Sequence, residues 1–200
     1  MVTLVTPHIP IIESEGQPPQ GQWTYDDYLR LPEDGTRYEI IEGILYMANA
    51  PAYDHQYAVN EIHRQLGNFV VERKLGVALT APFEVHLSEK TRPVQPDVLF
   101  IANDRKPEAN AQVFKGSPDL VVEVISPSSL RIDQHIKFGA YEQAKVREYW
   151  LVDPKTRSVE VYSLPKEGPE YVLLGQFSNN EKMKSAVLEG LEIEVSSLFA

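Results

Sequence analysis

Two apolar runs, each carrying one carboxylate, constrain this 200-residue chain more than any other feature. The first reads Gln95-Pro96-Asp97-Val98-Leu99-Phe100-Ile101. The second reads Pro118-Asp119-Leu120-Val121-Val122-Glu123-Val124-Ile125-Ser126-Pro127. Short apolar runs closed by turn residues are the pattern of strands covered on both faces. A carboxylate in such a run loses its hydration, so Asp97 and Glu123 need compensation. If their strands are neighbours, the two side chains converge at one sheet edge, where they repel unless a cation lies between them. A divalent cation suits the position. Mg²⁺ takes oxygen ligands and is commonly held by one or two carboxylates plus water and substrate phosphate. The carbonyl of Val124 is an available third oxygen.

The surrounding pattern alternates between the two periods. Trp23 to Leu29 reads as a short helix capped by Thr24, with Asp27 three residues on. Arg37–Gly43 and Ile44–Ala48 read as two strands hinged near Gly43. Val59, Ile62, Leu66, Phe69 and Val70 keep helical spacing and predict a long helix from about Tyr53 to Lys74. Strands follow at Val77–Ala81, Phe83–Leu87 and Asp97–Ile101. A polar loop at 102–117 precedes the strand Leu120–Ile125. Ser126-Pro127-Ser128-Ser129 breaks that strand and can cap a helix from about Ile132 to Lys145. Glu148–Val152, Arg157–Ser163 and Tyr171–Phe177 read as further strands, and Glu192–Phe199 as a final strand and turn. This order predicts an α/β or α+β fold, a mixed sheet flanked by helices. Residues 1–21, rich in Pro, Gly and Gln, read as a flexible or swapped arm, and residues 22–200 as a single domain.

The helix after Glu123 carries a polar stripe. Asp133, Lys137 and Tyr141 share a face at i, i+4 and i+8, beside an apolar face of Ile132, Ile136 and Ala140. Lys137 can thus reach over the sheet edge, where an ammonium orients a water or holds a phosphate. The ordinary reading of Asp133 with Lys137 is an exposed ion pair, and of Tyr141 a packing residue. Glu39 and Glu42 have opposite strand parity, so one of them faces inward; Glu42, beside Gly43, is the choice. His55, near the start of the long helix, is a further candidate.

Composition removes some alternatives. There are no cysteines, which excludes zinc sites built from thiolates and fits a reducing cytoplasm. No apolar run approaches the ~20 residues of a membrane span. A net charge of −10 argues against a protein that coats nucleic acid without specificity. It leaves room for a nucleic-acid enzyme with a bound metal.

Pro96-Asp97 followed by Glu123 resembles the PD-(D/E)xK nuclease superfamily. The chain looks more closely like its Uma-type restriction endonuclease family. The similar stretches are Tyr38-Glu39-Ile40-Ile41-Glu42-Gly43, His55, Pro96-Asp97-Val98, Val122-Glu123-Val124-Ile125-Ser126-Pro127-Ser128, Asp133-x-x-x-Lys137-x-x-x-Tyr141 and Glu148-Tyr149-Trp150-Leu151-Val152-Asp153. Each is weak alone; their order and spacing over about residues 23–165 are more specific. The resemblance implies a restriction-endonuclease-like core and Mg²⁺- or Mn²⁺-dependent cleavage of phosphodiester bonds in DNA by a homodimer. It implies Asp97 and Glu123 as metal ligands, and Glu42 as the upstream acid. The superfamily lysine belongs two residues after the glutamate, where this chain has Ile125; either Lys137 substitutes from the helix or the site lacks its lysine.

Two other classes compete with this enzyme. One is a catalytically inactive nuclease-like binding module, which Ile125 and the acidic charge favour. The other is a β-rich hydrolase or sugar-binding barrel, which the two helices disfavour.

Overall fold

A computed structural model describes residues 16–48, 50–126 and 129–200. The first helix, α1 (Tyr25–Tyr28), opens on a capping box in which Thr24 and Asp27 satisfy one another's main-chain N–H groups. Strands β1 (Arg37–Ile41) and β2 (Ile44–Ala48) form a hairpin. Its turn is Glu42 and Gly43 alone, both at positive φ (51° and 72°), as a tight two-residue turn requires. Gly43 is also a steric necessity, since a Cβ there would lie 2.5 Å from the Gly21 carbonyl oxygen. Helix α2 (Tyr53–Glu72) buries Val59, Ile62, Leu66, Phe69 and Val70, the stripe that predicts it.

Next come β3 (Gly76–Thr80), β4 (Glu84–His86), β5 (Val98–Ala102), β6 (Val113–Lys115) and β7 (Leu120–Val124). A π-helical stretch, Ile132–Lys137, runs into α3 (Phe138–Gln143). The chain finishes with β8 (Glu148–Asp153), β9 (Ser158–Ser163), β10 (Val172–Ser178), β11 (Lys182–Lys184), β12 (Glu192–Glu194) and a 3-10 turn, Val195–Leu198.

Six strands make the main sheet, in the order β10-β9-β8-β7-β5-β3. β7 and β8 are parallel, and the other pairs are antiparallel. A parallel pair needs a crossover, which the π-helical stretch and α3 supply. Alternation along the strands divides the core in two. Leu120, Val122, Val124, Trp150 and Val152 pack with α2 and the carboxy-terminal residues. Leu99, Ile101, Val121, Tyr149 and Leu151 pack on the other face with Tyr141 and Val146. The mixed sheet flanked by helices is the architecture expected. By parity Asp97 and Glu123 belong to the second face.

The differences are confined to short pieces. Phe83–Leu87 was expected to join the run of strands. It shortens to Glu84–His86 and pairs outside the main sheet with β6, inside the stretch expected to be loop. β11, also unforeseen, pairs with β12. Three residues carry too little periodicity to announce a strand. Residues 1–15 of the expected arm lie outside the described residues. Its described end packs on the hairpin: the Gly21 and Trp23 N–H groups both donate to the Gly43 carbonyl (2.8 and 2.9 Å). Pro127 and Ser128 of the expected cap lie outside the described residues. On either side, the Ser126 N–H donates to Ser129 Oγ (3.0 Å) and the Ser129 N–H to Ser126 Oγ (3.1 Å). Among the described residues no helix is long and apolar enough to cross a membrane.

Candidate active site

The antiparallel register of β5 and β7 ends at the pair Val98–Val122, so its continuation sets Asp97 against Glu123. Both side chains are buried. Where main-chain pairing stops, Asp97 Oδ2 accepts the Val124 N–H at 2.9 Å. Arg37 Nη1 lies 3.3 Å from Oδ1, and His55 Nε2 lies 3.3 Å from Oδ2. Burial alone would push the Asp97 carboxyl up. The hydrogen bond from His55 and the Arg37 charge outweigh it and hold the group down at about 2.

The polar stripe of the crossover faces this pair. Lys137 is 3% exposed and Glu123 is 1% exposed, so their contact is shielded from water. Lys137 Nζ lies 3.0 Å from Glu123 Oε1, 2.9 Å from Glu39 Oε2 and 4.0 Å from Asp133 Oδ1. The Tyr141 hydroxyl donates to Glu123 Oε1 at 2.6 Å. Glu39 Oε1 in turn accepts the N–H of Gln95 at 2.6 Å, which ties the hairpin to the segment leading into Asp97. Burial disfavours the Lys137 ammonium, but Glu123, Glu39 and Asp133 overcompensate and keep it charged. Burial raises Glu123 well above the usual carboxylate range; Lys137 opposes the rise, and Asp97, Asp133 and Glu39 add to it. Asp133 is pushed up to about 6, first by burial, with Lys137 opposing. Four carboxylates thus share two fixed cations, Lys137 and Arg37, and the cluster is short of positive charge.

Of the residues picked out in the sequence, Asp97, Glu123, Lys137, Asp133, Tyr141 and His55 come together. Val124 lines the same cleft. Asp133 and Lys137 are buried rather than an exposed pair, and Tyr141 bonds a carboxylate rather than only packing. Glu42 is a correction. It sits in the hairpin turn, exposed, with its carboxylate accepting from Thr91 Oγ1 at 2.9 Å. Because the turn takes up Glu42, Glu39 is the strand acid that faces the cluster. Arg37 went unnoticed in the sequence although it is two residues before Glu39 and therefore on the same strand face.

Arg37, His55, Asp97, Glu123, Val124 and Asp133 line a cleft of about 1470 Å³; Lys137, Glu39 and Tyr141 are not among its lining residues. Among the described residues, no group of three or more His, Cys, Asp or Glu side chains is arranged to hold a metal ion. A closed protein cage therefore does not fit. Asp97 is compensated by Arg37 and His55, whereas Glu123 is left short of counter-charge; a hard cation such as Mg²⁺ beside it would draw its remaining ligands from water and substrate.

A mixed sheet covered by helices, with an acid–lysine cluster at the junction of two central strands, defines a nuclease-like protein with a restriction-endonuclease-like core. Residues 25–196 match the model of the Uma2 family, described as "Putative restriction endonuclease", and the chain belongs to that family. It is 31% identical over 142 residues to an uncharacterized protein, sll1609, of Synechocystis sp., covering 70% of this chain and 79% of that one. A crystal structure from Anabaena variabilis, described as that of "a putative nuclease belonging to DUF820", superimposes with a TM-score of 0.74. The match covers 88% of this chain and 97% of the other at 22% identity, a likeness of fold.

Proposed function

We propose that this protein is a Mg²⁺- or Mn²⁺-dependent endonuclease that hydrolyses phosphodiester bonds in DNA. The observation that supports this reading is the convergence of three groups, Asp97 and Glu123 lining one cleft and the Lys137 amine buried against Glu123, although Ile125 stands where a strand lysine is usual for this chemistry. Asp97 and Glu123 would hold the ion, with the Val124 carbonyl beside them. When bound, the ion supplies charge stabilisation at a phosphoryl oxygen and acidifies a coordinated water. Lys137 orients the attacking water or the phosphate. Glu39 and Asp133 fix the Lys137 amine, and the Tyr141 hydroxyl fixes the Glu123 carboxylate. Arg37 and His55 set the position and ionisation of Asp97. If both strands of a duplex are cut, a homodimer supplies one cleft for each, and sedimentation equilibrium tests that assembly.

The direct test is cleavage of plasmid and oligonucleotide DNA with Mg²⁺ or Mn²⁺ by wild type, Asp97→Ala and Glu123→Ala. Metal-dependent cutting lost in both variants is expected. Equal traces of cutting in all three proteins would mean contamination and would remove the reading.

One observation favours a second reading, a nuclease-like binding module without catalysis. The cluster has no three-ligand group, and the Lys137 amine is already taken up by carboxylates. Calorimetry with Mn²⁺ separates the two. Binding that disappears in Glu123→Ala belongs to the enzyme; no binding with or without DNA belongs to the module.

A further inference from the structure

One stretch of the main sheet has the sequence of an interior strand and the place of an edge strand. Tyr171-Val172-Leu173-Leu174 is an unbroken apolar run, the pattern of a strand covered on both faces. Yet β10 ends the sheet order, and among the described residues no strand pairs with its outer side. Val172, Leu173 and Leu174 are 51%, 49% and 51% exposed. Nowhere else among the described residues do large apolar side chains so exposed follow one another in the chain. The opposite edge strand, β3, has no exposed residue.

A free row of N–H and C=O groups is a template for another chain, so edge strands usually carry charges, proline or a bulge as guards. From Tyr171 to Asn180 there is no charged residue and no proline. β10 does have a bulge, where its register with β9 shifts between Leu173 and Gly175. The extra residue is Leu174, so this bulge adds an exposed apolar group instead of hiding one. Leu173 pairs with Tyr162, which packs on the Tyr141 face of the sheet, while Val172 pairs with Ser163 and points to the other face. A strand laid along β10 would therefore cover apolar groups on both faces at once.

Charge selects the occupant. The chain carries −10, so much of its surface repels a second copy. When a strand pairs antiparallel with itself about a two-fold axis, every charge on it is doubled across the interface, where like charges repel. An uncharged strand is what such pairing requires, whereas a partner held by opposite charge would find nothing on β10 to pair with.

We infer that two copies of this chain pair antiparallel through β10, joining their main sheets into one. The pairing uses up the exposed edge, and β3 presents no second one, so assembly closes at two. This supplies the surface for the homodimer of the nuclease reading and does not depend on catalysis.

The test is sedimentation equilibrium of the full chain over a concentration series, with amide hydrogen exchange on dilute and concentrated samples. The wild type should show a reversible monomer–dimer equilibrium, and exchange of the β10 amides should slow as concentration rises. Val172→Lys and Leu173→Lys, both at exposed positions, should each weaken association by at least about tenfold. Val71→Lys, 72% exposed on α2, should leave it unchanged. A wild type still monomeric at about 1 mM overturns the inference. Protection of its β10 amides at every dilution would then mean that the edge is covered within one chain. A dimer that survives both β10 substitutions, or that Val71→Lys weakens equally, has its interface elsewhere and also overturns it. Metal-dependent cutting is assayed separately, so failure of this interface leaves the nuclease reading standing.

Discussion

Lys137 Nζ lies 3.0 Å from Glu123 Oε1, a buried ion pair between a π-helical turn and the central strand before it. The ammonium also serves Glu39 and Asp133. Breaking a buried pair by removing one partner costs more than the pair contributes, because the remaining charges are left without compensation. Lys137→Met should therefore destabilise the protein by about 3–5 kcal/mol in urea unfolding. Adding Glu123→Gln to that variant should restore part of the loss, since the two sites share one network. A loss under about 1 kcal/mol in the single variant would contradict this description of the cluster.

Stability should pass through a maximum in mild acid as far as two of these groups decide it. Asp133 is raised to about 6 in the folded protein, first by burial. The folded state holds its proton more tightly than the unfolded state, so this contribution is full below the unfolded pKa and is lost as pH rises through about 6. Asp97 goes the other way. His55 and Arg37 hold it at about 2 against burial, so its contribution is present above the unfolded pKa and is lost as pH falls toward about 2. Denaturant midpoints measured across this range should fall on both sides. The alkaline-side fall should shrink in Asp133→Asn.

Arg37→Met should raise the Asp97 carboxyl from about 2, because burial would then be opposed chiefly by the His55 hydrogen bond. Carbon-13 NMR of the side-chain carboxyl reads this directly. An unmoved titration would mean that Arg37 does not act on Asp97.

Mn²⁺ should stabilise the fold if Asp97 and Glu123 hold it. At a hundredfold excess over Kd the gain is about 2.7 kcal/mol, which thermal unfolding detects readily. Asp97→Asn should abolish the gain while keeping the side-chain volume. A gain of equal size in that variant would place the ion elsewhere.

Gly43→Ala should cost about 1–3 kcal/mol in thermal unfolding. The residue has φ of +72°, and the added Cβ would meet the Gly21 carbonyl oxygen at 2.5 Å. A neutral substitution would show that the hairpin and the preceding segment do not hold this approach in solution.

How far the molecule could be read in advance varied with the length of each signal. Asp97 and Glu123 stood out because a charge inside an apolar run is costly, and the neighbouring strands follow from those same runs. Lys137 was found through its spacing from Asp133 and Tyr141, although the surface ion pair such spacing usually means gave no hint of burial. Glu39 rather than Glu42 faces the cluster because a two-residue turn at Gly43 also consumes Glu42. Arg37 looked like the ordinary first residue of a strand. Its partner Asp97 is 60 positions away, a distance that no local pattern spans. β4, β6 and β11 escaped or shifted for the opposite reason: each pairs over only three residues.

The bond from the Val124 N–H to Asp97 Oδ2 has a consequence for how the molecule guards itself against error. A side chain here completes a row of hydrogen bonds that the main chain of β5 leaves unfinished. Slipping β7 by one residue would turn Glu123 to the opposite face and present Asp97 with a different neighbour. The carboxylate therefore acts as a register check, satisfied only when the central strands have met in the right frame. Site and sheet should form and melt as one cooperative unit, and no folded population lacking the cluster should build up between them.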